Sequence, residues 1–402
     1  MELLLSPLRE FRKKGDFPLL LLCLLACSFG MALIFSATRY MKSSQSSRCM
    51  IVQALAICIG IGIYILLTFV DFQMFTERKW KLLLGFNIIF ILLLLTPLGT
   101  DHNSGNLNWL ALDKIIPGFP LDIQPNEIVK IPFTLLLSLQ MVKIQERGGD
   151  ISSIPNVMQI GCHAAMMLAL VAVVCGDMGM CVVYLLIFVI MAWSAGVKTR
   201  WFLITGSLIV GAVVILWLFV LPDTALWDSN YIVKRIRALL DHSYDPGGVG
   251  WQQTRSLMAI GAGRITGQGY LHGMRTQSLA NESLPARHTD FIFAVCGEEL
   301  GLIGCCLLLA VLAAIILRCF WIGLHASSPF YAYVCIGLGG MLLIQIALNV
   351  GMCLFIAPCM GLTLPFISYG GSSIITLFAA MGVVSSAKAQ TLPSWLRDRG
   401  HL

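Results

Sequence analysis

The sequence predicts an all-α polytopic membrane protein with about ten transmembrane helices, forming a single integral membrane domain over residues 1–402. Hydrophobic residues make up 57% of the chain and charged residues only 12%, whereas a typical soluble domain has about 25% charged residues. The apolar residues fall in runs long enough to cross a bilayer as helices. The basic residues are scattered between these runs and form no patch with interleaved aromatics, which argues against nucleic-acid binding.

The apolar runs, taken in order, predict the individual helices. The runs have 17 to 28 residues with few charges, enough for a helix to span the hydrocarbon core. The first run lacks a small-residue cleavage site, so we expect a retained helix and not a signal peptide. The 14 cysteines lie mostly inside the runs without metal-ligand spacing, which indicates small buried hydrophobic residues. The predicted spans are residues 17–38, 51–70, 82–98, 125–142, 157–175, 178–196, 201–221, 290–317, 329–355 and 364–387.

Basic residues on alternate connections predict the orientation. With a cytoplasmic N-terminus, the short inner segments hold most of the lysines and arginines, and the positive-inside rule then places both termini in the cytoplasm. Residues 389–402 become a short cytoplasmic tail, and residues 222–289 become one long extracytoplasmic loop between the seventh and eighth helices. The basic residues on the inner side are Arg9, Arg12, Lys13, Lys14, Arg78, Lys79, Lys81, Lys143, Arg147, Lys198, Arg200, Arg318, Lys388, Arg397 and Arg399.

Two short motifs place acids at the ends of predicted helices. In "QPNEIVKI", Glu127 and Lys130 are three residues apart on one helix face and can pair, which lowers the cost of burying both charges. A structural ion pair and a substrate-facing pair are equally compatible with this spacing. In "CGDMGM", Asp177 lies between two apolar helices, where a helix cap or turn is favoured over catalysis.

Two glycine-rich segments are candidates for close backbone approach. "AIGAGRITGQGYLHG" in the long loop could bring several N–H groups to a phosphate, with Arg255, Arg264, Arg275 and Arg287 nearby in sequence. Its spacing matches no nucleotide fingerprint, so a turn-rich surface loop is favoured. "PCMGLTLPFISYGGSS" contains Ser368 and the pair Gly370–Gly371 beside membrane sequence, where a cavity wall or hinge is as compatible as a kinked helix.

The stretch "PARHTDFIFAVCGEELGLIG" sets Asp290 in front of an apolar run and then adds Glu298 and Glu299. A carboxylate at membrane depth costs roughly 2.5 to 3.5 kcal/mol on insertion scales, so each acid is a functional candidate. A cap by Thr289, with Asp290 at the positive end of the helix, would explain one acid. It would not explain the adjacent basic residues or the two deeper glutamates.

Taken together, these motifs resemble the SEDS family of bacterial shape, elongation, division and sporulation proteins, which includes RodA, FtsW and SpoVE. The resemblance runs from "IFSAT" at residues 34–38 to the tenth helix. It rests on "QPNEIVK", "DMG", "AIGAGRITGQG", "LPARHTDFIFAVCGEELG" and "PFISYGGSS" in that order. The N-terminal "KKGDFPLLL" and the loop lengths resemble RodA more than FtsW.

The resemblance implies a peptidoglycan glycosyltransferase that polymerises lipid II on the outer face of the bacterial cytoplasmic membrane. It also implies a class B penicillin-binding protein as partner, within a cell-wall elongation or division complex. The catalytic aspartate of the family carries over to Asp290 and its charged pair to Glu127 and Lys130; a divalent cation, Mg²⁺ or Mn²⁺, stays open. The expected pyrophosphate or cavity ligands are Glu127, Lys130, Arg235, Arg255, Arg264, Arg275, Arg287, His288, Thr289 and Ser368. The expected structural or cavity-lining residues are Asp177, Glu298, Glu299, Gly370 and Gly371.

This chain departs from the family pattern in ways that affect acceptor and loop contacts. Asn126 replaces a serine in the fourth-helix motif, and Asn108 replaces an arginine before Trp109. Arg255 replaces a glutamine and Ala286 a glutamate. Two other functions remain open on sequence: a lipid II flippase, with Glu127 and Lys130 on its path, and a non-catalytic activator of a partner enzyme.

Overall fold

The structure is a computed structural model that describes residues 11, 13–41, 43–101, 106–114, 122–215, 218, 231–240, 250–278 and 283–391. Within this part of the chain, six helices are long and apolar enough to cross a membrane, and two shorter apolar helices accompany them. The all-α membrane class is therefore confirmed. The exact number of ten spans stays a prediction.

The described part of the chain folds almost entirely into helices. An antiparallel pair of short strands, β1 (Gly99–Thr100) and β2 (Trp109–Leu110), lies between α3 and α4. The helices are α1 (Phe17–Thr38), α2 (Ser43–Thr68), α3 (Phe72–Leu92), α4 (Pro125–Glu146), α5 (Ile154–Leu170, extended by a π turn to Cys175), α6 (Met178–Ser194), α7 (Thr199–Ile215), α8 (Tyr231–Leu240), α9 (Trp251–Gly263), α10 (Ile292–Leu324), α11 (Pro329–Cys353) and α12 (Gly371–Thr391).

Each predicted apolar run overlaps one of these helices. The bounds differ most for α3, which begins at Phe72 where the sequence predicted a start at residue 82, and the last run differs in a way that affects the cavity. Residues 364–370, "LPFISYG", are not helical, and α12 begins only at Gly371. Pro365 and Gly370 disfavour helix there, so the cavity-wall interpretation of this segment is favoured over a kinked helix. The long loop between α7 and α10 contains α8 and α9, while residues 219–230, 241–249 and 279–282 lie outside the described part.

The helix α12 lies at the centre of the bundle. It packs most extensively against α2 and is buried along most of its length. By contrast, α7 has no buried residue and lies at the periphery. The exposed faces of the outer helices carry large apolar side chains such as Leu208 and Leu307, which suits contact with lipid. All 14 cysteines are free and nine are buried, in agreement with their prediction as small hydrophobic residues.

An ionic cluster closes one end of the bundle. Asp16 is fully buried, caps α1 by accepting from the Leu19 N–H at 2.8 Å, and accepts from Arg318 Nη2 at 2.7 Å. Lys388 Nζ lies 3.1 Å from the same carboxylate. Burial by itself raises the pKa of Asp16, but the hydrogen bonds from Arg318, the Leu19 N–H and Lys388 outweigh it and hold that pKa below its usual value. Three helices, α1, α10 and α12, are thereby joined at this end.

At the other end, α10 is interrupted by Gly301, whose φ of 65° and ψ of −162° are open only to glycine. The interruption frees backbone groups, and the glycine-rich loop satisfies them. The Gln268 and Gly269 N–H groups donate to the carbonyls of Glu298 and Glu299, while the N–H groups of residues 302 and 303 donate to carbonyls of residues 264 and 265. The loop segment is therefore built into the unwound turn of α10.

Candidate active site

A cavity of about 890 Å³ opens at the end of the bundle opposite to Asp16. Its walls come from the first turns of α4, α6 and α12, from α2, α8 and α9, and from the connection between α11 and α12. The volume is within the range of small-molecule sites. Its lining is mixed, with carboxylates, amides, an arginine and glycine-rich backbone.

Asp290 lies on this wall, just before α10, and its backbone is held from two sides. Asn349 Nδ2 donates to the Asp290 carbonyl at 2.8 Å and to the Leu362 carbonyl at 2.6 Å. One α11 side chain thus ties the acid to the connection between α11 and α12. The first residue of α10 has no side-chain cap, and Thr289 Oγ1 donates instead to the Ala286 carbonyl at 3.2 Å. The alternative that Thr289 caps the helix therefore does not hold, because the chain makes a tight turn here before the helix starts.

The surroundings of Asp290 favour a carboxylate that can change its charge near neutral pH. Burial raises its pKa to about 6, while the charge of Arg235 opposes that rise and the charge of Asp177 adds to it. The side chain is only partly buried and faces the cavity. Gly361 lies beside it, with φ +66°, and a Cβ there would come within 3.8 Å of Asp290 Oδ2.

The predicted pair on α4 is present. Lys130 Nζ lies 2.8 Å from Glu127 Oε2, and both side chains are almost fully buried. Glu127 lines the cavity, whereas Lys130 lies behind it. Gln345 of α11 approaches the other oxygen of Glu127 at 3.5 Å. Since the positive partner is buried, the pair presents a carboxylate to the cavity and keeps its charge balanced from behind.

Asp177 caps α6, as its motif predicted, by accepting from the Met180 N–H at 3.0 Å. Its other oxygen accepts from Asn108 Nδ2 at 2.8 Å. Asn126 Nδ2 in turn lies 3.4 Å from Asn108 Oδ1. The two asparagines that depart from the SEDS pattern are therefore partners of each other, and this contact was not apparent from their separate motifs.

The connection before α12 forms the wall beside Asp290. Ser368 Oγ donates to the Thr289 carbonyl at 2.7 Å, and the Tyr369 N–H donates to the His288 carbonyl at 2.9 Å. Gln53 of α2 holds the same segment through the Ser368 carbonyl and the Gly370 N–H, each at 3.1 Å. These bonds bring the start of α12 next to the acid.

With this geometry established, the comparisons with known proteins identify the family. The model of the FtsW, RodA and SpoVE family, described as "Cell cycle protein", matches residues 17–392. This chain belongs to the FtsW–RodA–SpoVE family. A probable peptidoglycan glycosyltransferase FtsW of Trichlorobacter lovleyi is 30% identical over 97% of this chain and 96% of its own length. The peptidoglycan glycosyltransferase MrdB of Escherichia coli K12 is 32% identical over 82% of this chain and 83% of its own length.

Solved structures share the fold. A chain from "Structural coordination of polymerization and crosslinking by a peptidoglycan synthase complex" superposes with a TM-score of 0.74 at 24% identity, over 94% of this chain and 99% of that chain. The Thermus thermophilus rod shape determining protein RodA superposes with a TM-score of 0.62 at 23% identity, over 94% of this chain and 98% of that chain. The RodA-like arrangement of helices is thus confirmed.

In this FtsW–RodA–SpoVE family member, the predicted arginines separate into two groups. Arg235 of α8 lines the cavity. Four other arginines and His288 are not among the described residues that line it. The four are Arg255, whose guanidinium lies over Trp251, the exposed Arg264, Arg275 near Met258, and Arg287.

Arg287 shows why sequence proximity to Asp290 is misleading. Its side chain is only 4% exposed and donates to the carbonyls of Arg275, Thr276 and Ser278. It also lies 3.5 Å from the ring centroid of Tyr40. Those bonds direct the guanidinium into the loop and away from the cavity.

Glu298 and Glu299 hold the glycine-rich loop. Glu298 accepts from the Arg275 N–H at 2.8 Å and from the Thr276 N–H and hydroxyl, each at 2.7 Å. Glu299 accepts from Ser36 Oγ of α1 and from Gln277 Nε2 at 3.0 Å. Both are fully buried, and neither is among the described cavity-lining residues. Their arrangement supports the structural role, and the loop packs on α10 without forming a phosphate cradle.

The described residues do not offer a set of ligands for a divalent cation. In that part of the chain, no three His, Cys, Asp or Glu side chains converge closely enough to hold a metal ion. The described residues therefore do not fit a protein-built metal site.

Proposed function

We propose that this protein is a peptidoglycan glycosyltransferase that polymerises lipid II into glycan strands. The observation that carries the proposal is Asp290: a carboxylate on the wall of a large cavity, with a pKa raised to about 6 and Arg235 on the same cavity wall. Perturbed carboxylates in a cavity are characteristic of catalytic groups. The relatives named as peptidoglycan glycosyltransferases support the same activity.

The reaction is a displacement at C1 of a sugar whose leaving group is a lipid pyrophosphate. The 4-hydroxyl of the second sugar attacks C1, Asp290 accepts the proton of that hydroxyl, and the C1–O bond to pyrophosphate breaks with inversion. General base catalysis of this kind contributes about 10²–10⁴-fold in rate. A pKa near 6 leaves Asp290 ionised at neutral pH and still basic enough to accept a proton.

Arg235 has the charge that the leaving group requires. As the C1–O bond breaks, negative charge accumulates on the pyrophosphate, and a fixed cation within the cavity stabilises that charge. In the same cavity, Glu127 and Asp177 offer carboxylate oxygens and Asn108 an amide, a set suited to hydroxyl and N–H donors of sugars. The cavity thus has a cationic part and a hydrogen-bond-accepting part.

The site faces the outer side of the bacterial cytoplasmic membrane in this proposal, because the positive-inside rule puts the Asp16 end in the cytoplasm. A class B penicillin-binding protein is the proposed partner, in an elongation or division complex. The structural relative that coordinates polymerization and crosslinking supports this pairing of activities.

The test is a gel assay for glycan strands made from lipid II by the purified protein with its partner. Asp290→Asn is expected to lower the rate by at least about 100-fold, while Ser386→Ala, at the opposite end of α12, keeps the rate. Both variants should unfold at the temperature of the parent protein. Normal strand formation by Asp290→Asn would contradict the proposal and favour a non-catalytic activator, and lipid II translocation without strands would favour a flippase.

A further inference from the structure

The cavity contains one of the predicted arginines, yet a pyrophosphate carries several negative charges. The positive end of a helix can supply what side chains do not, because its first N–H groups have no acceptor within the helix. The start of α12 lines this cavity through Gly370, Gly371, Ser372 and Ser373. It is the candidate for the missing anion contacts.

The hydrogen bonding at the start of α12 leaves these amides outside the helical ladder. The first helical bond runs from the Ile374 N–H to the Gly370 carbonyl at 3.0 Å, so the N–H groups of residues 371–373 precede it. The Gly370 N–H, just before the helix, donates to Gln53 Oε1 at 3.1 Å, and this bond holds the start of the helix in place. The helix continues for 21 residues, long enough for a full helix dipole.

A second, independent observation points to a ligand. The side chain of Ser372 is only 8% exposed, and its hydroxyl has no hydrogen-bond partner among the described residues. A buried hydroxyl normally has a partner, and an unpaired one is costly to fold. The neighbouring hydroxyls illustrate the rule: Ser368 donates to the Thr289 carbonyl, and Thr376 donates to the Ser372 carbonyl at 2.9 Å.

The position of this helix start also suits the leaving group. Ser368 and Tyr369 are hydrogen-bonded to residues 289 and 288, so α12 begins next to Asp290. Arg235 lines the same cavity from α8. The glycine pair before Ser372 has no side chains, which lets phosphate oxygens approach the backbone closely.

We propose that the first turn of α12, with the N–H groups of residues 371–373 and the Ser372 hydroxyl, binds the pyrophosphate of the lipid-linked substrate together with Arg235. This inference rests on the proposed polymerase function for the identity of the substrate. The binding of a pyrophosphate at this turn can nevertheless be measured without catalysis. In this proposal, the N-terminus of α12 and Arg235 bind the pyrophosphate, in place of the group of arginines that the sequence predicted.

The first experiment measures binding of inorganic pyrophosphate to the purified full-length protein by calorimetry at constant ionic strength. Ser372→Asp places a negative charge in the first turn, which favours the helix itself but repels the anion. We expect it to weaken pyrophosphate binding at least tenfold, with no loss of thermal stability. Ser372→Asn has nearly the same shape without the charge and should bind at least fivefold tighter than Ser372→Asp.

Two controls separate this site from general effects. Ser386→Ala removes a hydroxyl from the far end of the same helix, where it donates to the Val383 carbonyl, and should bind as the parent does. Ser372→Ala should bind pyrophosphate about tenfold more weakly than the parent protein, because it removes a hydrogen bond to a charged group. Inorganic phosphate and acetate are tested beside pyrophosphate, and equal binding of all three would indicate an unspecific anion site and overturn the proposal.

The result also separates this inference from the proposed function. Asp290→Asn should abolish strand formation but bind pyrophosphate at least as well as the parent, because a neighbouring negative charge is removed. If the parent binds pyrophosphate and Ser372→Asp does not, yet no glycan forms from lipid II, the binding site stands and the polymerase function fails. If strands form and Ser372→Asp keeps both its pyrophosphate affinity and its KM for lipid II, the binding site is refuted and the polymerase function stands.

Discussion

Asp290 is positioned by neighbours that contact its backbone and tuned by neighbours that act through charge. Asn349 holds the Asp290 carbonyl, while burial and the charges of Arg235 and Asp177 set the pKa of the carboxyl. The pair of Glu127 and Lys130 contributes in a different way. Both side chains are buried, and each charge is stabilised by the other. Single substitutions at these positions should therefore change different measurable quantities.

The pH dependence of strand formation should follow the ionisation of Asp290. Its pKa is raised to about 6, so the base is available above that pH and is lost by protonation as the pH falls through it. Arg235 lowers this pKa, and Arg235→Gln should therefore move the acidic limb of the rate profile to higher pH. Arg235→Lys keeps the charge and should leave the limb in place. If the acidic limb does not move in Arg235→Gln, the ionisation that causes the limb is not that of Asp290.

Lys130→Met should destabilise the protein strongly. It leaves Glu127 buried without its cation, and breaking a buried pair in this way costs about 3–5 kcal/mol. The double variant Glu127→Gln/Lys130→Met removes both charges and should recover most of that loss. Thermal unfolding in detergent measures both, and a double variant no more stable than Lys130→Met would argue against charge as the cause.

The unwound turn of α10 is the element that connects the long loop to the bundle. Gly301 breaks the helix, backbone groups of residues 264–269 complete its hydrogen bonding, and Glu298 and Glu299 bind the following loop segment. Asp290 lies before the same helix. A disturbance at the break should therefore loosen the loop before it unfolds the bundle.

Gly301→Ala tests this connection. A Cβ at Gly301 would collide with the backbone of Gly267 and Ile265, and the left-handed φ disfavours alanine independently. We expect faster proteolysis within residues 264–278 and a lower unfolding temperature. Gly261→Ala is the matched control, because a Cβ there meets open space and alanine favours helix α9 by about 0.5–1 kcal/mol. Equal protease resistance of the two variants would contradict the role of the break.

The bundle as a unit has two chemically different ends. The Asp16 cluster joins α1, α10 and α12 at one end, and the cavity with Asp290 opens at the other. Between them, the outer helices expose apolar side chains, and α12 is buried in the middle. In the proposed function, the cavity end faces the outer side of the membrane.

Cysteine labelling in intact cells checks this orientation. Met274 is 71% exposed at the cavity end, and the side chain of Lys198 is 56% exposed at the opposite end. A membrane-impermeant maleimide should label Met274→Cys from outside and Lys198→Cys only after permeabilisation, above the background of the parent protein. The reverse pattern would invert the topology and place Asp290 in the cytoplasm.

Four features could be predicted from the sequence alone: the membrane class, the approximate positions of the helices, the pairing of Glu127 with Lys130 and the cap by Asp177. These features are local: hydrophobic transfer acts on a run of about twenty residues, and helix geometry brings residues three apart together. The choice of Asp290 as the candidate catalytic residue came from a motif and stays a prediction for experiment.

Which side chains reach the cavity depends on the tertiary structure and could not be predicted from the sequence. Arg235 lines it, whereas Arg287, three residues from Asp290, is turned into the loop by carbonyl acceptors that lie 9 to 12 residues earlier in the chain. Asn108 meets Asp177 across 69 residues, and Gln53 fixes the start of α12 across 317. Such contacts depend on how distant segments pack, because a hydrogen bond requires its two atoms to lie about 3 Å apart in space, whatever their separation along the chain.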